Sequence, residues 1–149
     1  RDFVIAVDTS ASCRGEVVQA FLNKTYQIMQ QKENFFQKIN VHIIQCDNEV
    51  QSDTKITCKE EFDAFMQSGK LRGFGSTDFR PVFQYVEALQ QAGEFADLKG
   101  LLYFTDGYGI YPERMPDYDT AFVFLREDGE APAVPPWAIK VVLDEIEKD

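Results

Sequence analysis

The sequence has 149 residues, 44% hydrophobic and 13% aromatic, enough to bury the core of one compact domain. Twenty-five acidic against fifteen basic side chains give a formal charge of −10, which repels phosphate backbones and anionic lipid surfaces and argues against nucleic acid or membrane as partners. Three cysteines without CxxC spacing indicate neither a zinc knuckle nor a disulfide framework and suit a reducing cytoplasm, and no apolar stretch approaches the roughly 20 residues of a membrane helix.

Phe3-Val4-Ile5-Ala6-Val7 is a continuous apolar run that stops abruptly at polar residues, the pattern of a central parallel strand buried on both faces. The start Arg1-Asp2-Phe3 is neither a signal peptide nor an initiator methionine, so the chain is expected to be one domain, residues 1–149, from the carboxy-terminal part of a longer protein. Over 15–32, Val17, Val18, Phe21, Leu22, Thr25, Ile28 and Met29 recur at three- and four-residue steps, predicting a helix with these on its inward face. Residues 39–46 read as the next strand, and 50–56 as a short edge strand or hairpin. Thr57-Cys58-Lys59-Glu60 has the form of a capping box opening a brief helix that carries Phe62, Phe65 and Met66. Pro81 marks another helix start, with Val82, Phe83, Val86 and Leu89 as its inward stripe. Further buried strands are predicted at 101–104 and 121–125 and a last strand at about 138–143, with a proline- and tyrosine-rich loop after Asp106 and an acidic loop over 127–136.

Strands and helices alternating at these lengths imply an α/β three-layer sandwich with a mostly parallel central sheet, and such sheets bind ligands beyond the carboxyl ends of their strands. Three polar clusters fall at that edge: Asp8-Thr9-Ser10-Ala11-Ser12, Gly75-Ser76-Thr77-Asp78 and Thr105-Asp106-Gly107. Asp8, Ser10 and Ser12 alternate along their turn, so three hard oxygen donors can converge on one point, and Mg2+, Mn2+ and Ca2+ prefer such ligands. The alternative for each residue is plain turn and helix-cap chemistry, and Asp47 after the second strand reads first as a turn former. His42, the one histidine, alternates with Val41 and Ile43 as a packed strand residue.

Asp-x-Ser-x-Ser, then Gly-Ser-Thr, then Thr-Asp-Gly resembles the metal-ion-dependent adhesion site of von Willebrand factor A (VWA) domains. Ile44-Gln45-Cys46-Asp47, the segment from Gly75 through Phe83 and that from Tyr103 through Pro112 are similar to the carboxy-terminal VWA-like domain of bacterial metallopeptidase-like proteins, and this likeness spans nearly the whole chain. The resemblance implies that Ser10, Ser12 and Thr77 ligate a divalent cation through hydroxyls, with Asp8 and Asp106 bound directly or through water. It further implies that a carboxylate of a partner protein fills the remaining position. The partner expected is a protein with an exposed Asp or Glu, such as an ATPase or the protein's own amino-terminal region. Asp78, Asp47, Tyr108 and Tyr111 are expected around the ion or against the partner, and Ser76 departs from the glycine usual in the nearer members.

Two competing readings stay open. One is a magnesium-dependent hydrolase or phosphatase with Asp8 as nucleophile, although Ser10 stands where such enzymes carry a second aspartate. The other is a structural VWA-like domain whose site holds no metal. The expected function is a non-catalytic interaction module.

Overall fold

The computed structural model describes residues 2–10, 15–31, 39–68, 71–73, 75–125 and 132–143. In chain order the elements are β1 (Asp2–Asp8), α1 (Gly15–Gln31), β2 (Asn40–Cys46), β3 (Val50–Ile56), α2 (Lys59–Ser68), α3 (Arg80–Gln91), β4 (Leu98–Phe104), β5 (Asp119–Leu125) and β6 (Ile139–Leu143). The six strands form one sheet ordered β3-β2-β1-β4-β5-β6, parallel throughout except for β3, which runs antiparallel to β2 at the edge. This is the expected α/β sandwich.

The apolar run of β1 is buried on both faces because the sheet is covered on both sides. Ile5 and Val7 join Val18, Phe21 and Leu22 of α1 and Phe62 of α2 in one core. Val4 and Ala6 join Val82, Phe83 and Val86 of α3, together with Tyr103, Phe122 and Phe124, in the other. Each fully buried Val, Leu, Ile or Phe stabilises by about 1.5–3 kcal/mol relative to exposure, so the two cores dominate what holds the layers together. In the second core, Phe122 stacks on Tyr103 with ring centroids 5.5 Å apart and meets Tyr111 edge-on at 4.9 Å.

Three details differ from the sequence expectation. Ile28 is half exposed, because a residue ten positions after Val18 is turned about 80° off the stripe centre, and Tyr26 packs beside Phe62 instead. The capping contact at α2 is shifted by one residue: Glu61, not Glu60, reaches back to the Thr57 N–H at 2.8 Å and its hydroxyl at 2.5 Å. β4 and β5 begin earlier than their apolar runs, at Leu98 and Asp119, because ladder pairing takes in Leu98, Gly100, Asp119 and Thr120. No helix among the described residues is long and apolar enough to cross a membrane.

Candidate functional site

Register sets the site. Asp8 lies opposite Cys46 of β2, and Val7 lies opposite Phe104 of β4, so Asp8, Asp47 and Thr105 leave the sheet side by side at its carboxyl edge. Asp8 is 0% exposed. Its Oδ1 accepts the Ser10 N–H at 2.9 Å, and its Oδ2 accepts the Thr105 hydroxyl at 2.6 Å. Both donors are neutral. A carboxylate offers about four acceptor positions, so these two bonds leave capacity for an ion or water.

Thr105 also accepts the Gly107 N–H at 3.0 Å, and Asp106 Oδ1 accepts the Tyr108 N–H at 3.2 Å, which winds the turn around Asp106 beside the Asp8 anchor. Gly107 has φ +90°, and a Cβ there would stand 2.3 Å from Pro132 Cγ and 2.8 Å from Phe124 Cε1. Only glycine permits that turn.

The segment carrying Thr77 is fastened to the end of β2. Asp47 is buried, and its Oδ1 accepts from the Glu49 N–H and Gln51 Nε2, both at 3.0 Å, while its Oδ2 accepts the Gly75 N–H at 3.0 Å. Burial would raise its pKa, but the Gln51 amide and the backbone donors outweigh burial and hold the carboxyl below its ordinary value. The Asp47 carbonyl accepts the Asp78 N–H, the Arg72 N–H reaches Gln45 Oε1 at 2.7 Å, and the Thr9 hydroxyl lies against the Cys46 and Arg72 carbonyls. Gly73, at φ +123°, passes so near that a Cβ would stand 2.7 Å from Thr9 Oγ1.

Close contacts join this segment to the loop after Asp106. The Phe79 N–H donates to the Ile110 carbonyl at 3.1 Å. A Cβ on Gly109 would lie 2.8 Å from Thr77 Cγ2, which puts Thr77 directly against that loop. The three polar clusters of the sequence therefore meet, with Ser12 lying outside the described residues.

The outer candidates divide. The Asp78 carboxylate is gripped by Arg80, Nε on Oδ1 at 3.0 Å and Nη2 on Oδ2 at 2.8 Å, with the Arg80 backbone N–H also on Oδ1; this fork holds the carboxyl below its ordinary value. Tyr108 is 74% exposed, and Ile110 and Met115 stand exposed on the same loop. Tyr111 packs into the core, 4.8 Å from Phe79 and 4.9 Å from Phe122 between ring centroids, and burial pushes its hydroxyl pKa up to about 12. Among the described residues no group of three or more His, Cys, Asp or Glu side chains is arranged to hold a metal ion. The oxygen-bearing side chains at this edge include the Asp8 and Asp106 carboxylates and the Ser10, Thr77 and Thr105 hydroxyls.

Sequence reasoning passed over Thr105 as a site residue, although its hydroxyl donates to Asp8. Its place in the Thr105-Asp106-Gly107 cluster was visible, but not its bond to Asp8, 97 positions away. Arg80 was likewise passed over; its spacing from Asp78 was visible, but not the fork between them.

A profile of the family described as "VWA-like domain (DUF2201)" matches residues 3–144. No curated protein matches the sequence. Among solved structures, the SpRpn10 VWA domain superposes with a TM-score of 0.65 at 15% identity, covering 97% of this chain and 88% of that one. Proximal thread matrix protein 1 from the mussel byssus gives a TM-score of 0.68 at 15% identity, covering 89% of this chain and 38% of that one. The conserved hypothetical protein BatB from Bacteroides thetaiotaomicron gives 0.61 at 12% identity, covering 96% and 90%. At these identities the likeness is one of fold, and it agrees with the sheet order and the meeting of loops at its carboxyl edge. With the profile spanning nearly its whole length, the chain belongs to the VWA-like domain family.

Proposed function

We propose that this edge holds a divalent cation, Mg2+ or else Mn2+ or Ca2+, and through it the acidic side chain of a partner protein. The observation that carries this reading is Asp8: a fully buried carboxylate whose hydrogen bonds among the described residues come from neutral donors, beside two further oxygen-bearing loops. A buried charge is costly without a counter-charge, and a cation would supply it. Ser10, Ser12 and Thr77 would offer hydroxyls, with Asp8 and Asp106 bound directly or through water. Two carboxylates neutralise the ion while the hydroxyls add no charge, leaving it electrophilic toward an incoming carboxylate. Asp47 and Asp78, whose charges are taken up by backbone donors and by Arg80, serve by positioning the Thr77 segment. Exposed Tyr108, with Ile110 and Met115, gives the partner an apolar rim.

The module is non-catalytic in this reading and works in the cytoplasm. Its partner is an ATPase or an upstream, metallopeptidase-like region of the same protein. Thermal melts with millimolar MgCl2, MnCl2 or CaCl2 test the metal half, since a ligand that binds only the folded state raises stability by mass action. The parent chain should gain, and Asp8→Ala and Asp106→Ala should not; no gain in the parent, or equal gains in all three, refutes it. Acetate as a minimal carboxylate should add stability only with metal present.

A further inference from the structure

Half-way down β2, on the α3 side of the sheet, His42 is buried between two carboxylates. Its Nδ1 lies 2.8 Å from Asp53 Oδ1 on β3, and its Nε2 lies 3.0 Å from Glu94 Oε1 in the turn after α3. Ionised carboxylates only accept, so the two contacts are satisfied together only when both ring nitrogens carry protons. Each carboxylate also accepts from a second neighbour. Tyr85 of α3 donates its hydroxyl to Asp53 Oδ2 at 2.5 Å, and Lys55 of β3 places Nζ 2.6 Å from Glu94 Oε1. Asp2 of β1 adds negative charge nearby through Lys55, and the Phe95 ring closes one side of the imidazole at 5.2 Å between centroids.

We propose that His42 is a proton-operated clamp: as an imidazolium it fastens β3 and the turn after α3 to β2, and loss of its proton loosens β3. A neutral ring has one N–H for two carboxylates, so one contact becomes lone pair against lone pair inside a buried site. β3 is the strand to give way, because it is an edge strand paired only with β2, whereas β2 is also held by β1. The loosening has a defined reach. Gln51 of β3 donates to Asp47, whose carboxylate holds Gly75, so the clamp supports the segment that carries Thr77.

Burial alone would lower the His42 pKa, but the hydrogen bonds and charges of Asp53 and Glu94 outweigh it and raise it above the ordinary 6.5. The sign of the linkage follows. A raised histidine pKa contributes stability that is complete below 6.5 and is lost as pH rises through the folded value. The device thus tightens on acidification and releases on the alkaline side.

The test is 15N NMR of the imidazole nitrogens together with amide exchange of β3, both between about pH 5 and 9. The ring should stay imidazolium through pH 6.5 and titrate above it. Across that titration, β3 protection should fall by about tenfold per pH unit beyond the intrinsic exchange rate, while that of β1 should not. In His42→Gln, β3 protection should be low and free of this pH step. A ring that titrates at or below 6.5, or β3 protection that ignores the titration, overturns the proposal. Both readouts on the unaltered chain decide it even if His42→Gln fails to fold.

Discussion

Replacing Thr105 by valine keeps the shape of the side chain and removes one oxygen. That oxygen does two jobs: it donates to the fully buried Asp8 carboxylate at 2.6 Å and accepts the buried Gly107 N–H at 3.0 Å. Losing a hydrogen bond to a charged group costs about 1.5–3 kcal/mol, and leaving a buried N–H unsatisfied about 1–3 kcal/mol. The two overlap in one turn, so we expect a net loss of about 3–5 kcal/mol. For a chain of this length, each kcal/mol moves the melting temperature by about 2–4 °C, which predicts a fall of about 10 °C. Thr105→Ser is the control: it keeps the oxygen and gives up one buried methyl, costing about 1 kcal/mol. Urea denaturation of both variants against the parent separates the cases. If valine proves as stable as serine, the account of the Asp8 anchor is wrong, because packing alone ranks them the other way.

Three further outcomes follow from the geometry. Gly109→Ala drives a methyl to 2.8 Å from both Thr77 Cγ2 and Phe79 Cζ, and should cost about 1–3 kcal/mol and shift the Thr77 amide resonance; a silent Gly109→Ala would separate the two loops again. Asp47→Asn should remove part of the acid sensitivity of folding. The lowered carboxyl pKa contributes stability present above 3.8 and lost as pH falls through the folded value, so parallel stability curves for parent and variant below pH 4 would contradict the assignment. Phe122→Ala, at the centre of the aromatic cluster, should cost about 3–5 kcal/mol by equilibrium unfolding, and a cost under about 1 kcal/mol would show that the cluster is not the packing centre of its face.

What could be read from the chain was what local order writes into it. β1 announced both its burial and its end, because five apolar residues are followed at once by Asp8 and Thr9, and helices cover both faces of the sheet at that run. The three polar clusters could be predicted to meet because parallel strands all point their carboxyl ends the same way. The rest depended on pairings that no window contains. Thr57-x-x-Glu60 and Cys58-x-x-Glu61 both satisfy a capping spacing, and only the helix start at Lys59 selects the second. His42 was read as a packed strand residue, and it is one. Its two carboxylate partners, at Asp53 and at Glu94 some 52 positions on, become visible only once β3 folds back and α3 has crossed the sheet. Asp47, Asp78 and Tyr111 had the right residue types to attend a site, but spacing does not tell whether a carboxylate is already occupied by Gly75 or Arg80, or a ring by Phe122.

The strand order also governs how the chain is made. β1, made before the other five strands, occupies the middle of the sheet, between β2 and β4, and β4 begins only at Leu98. Until β4 has been synthesised, Val4-Ile5-Ala6-Val7 waits with one open flank, an apolar edge that any stray strand could join. Parallel pairing across such separations is slow to form. The sensitive moment for this domain is therefore during its birth, and holding factors that shield nascent apolar segments should matter more to its yield than the stability of the finished fold.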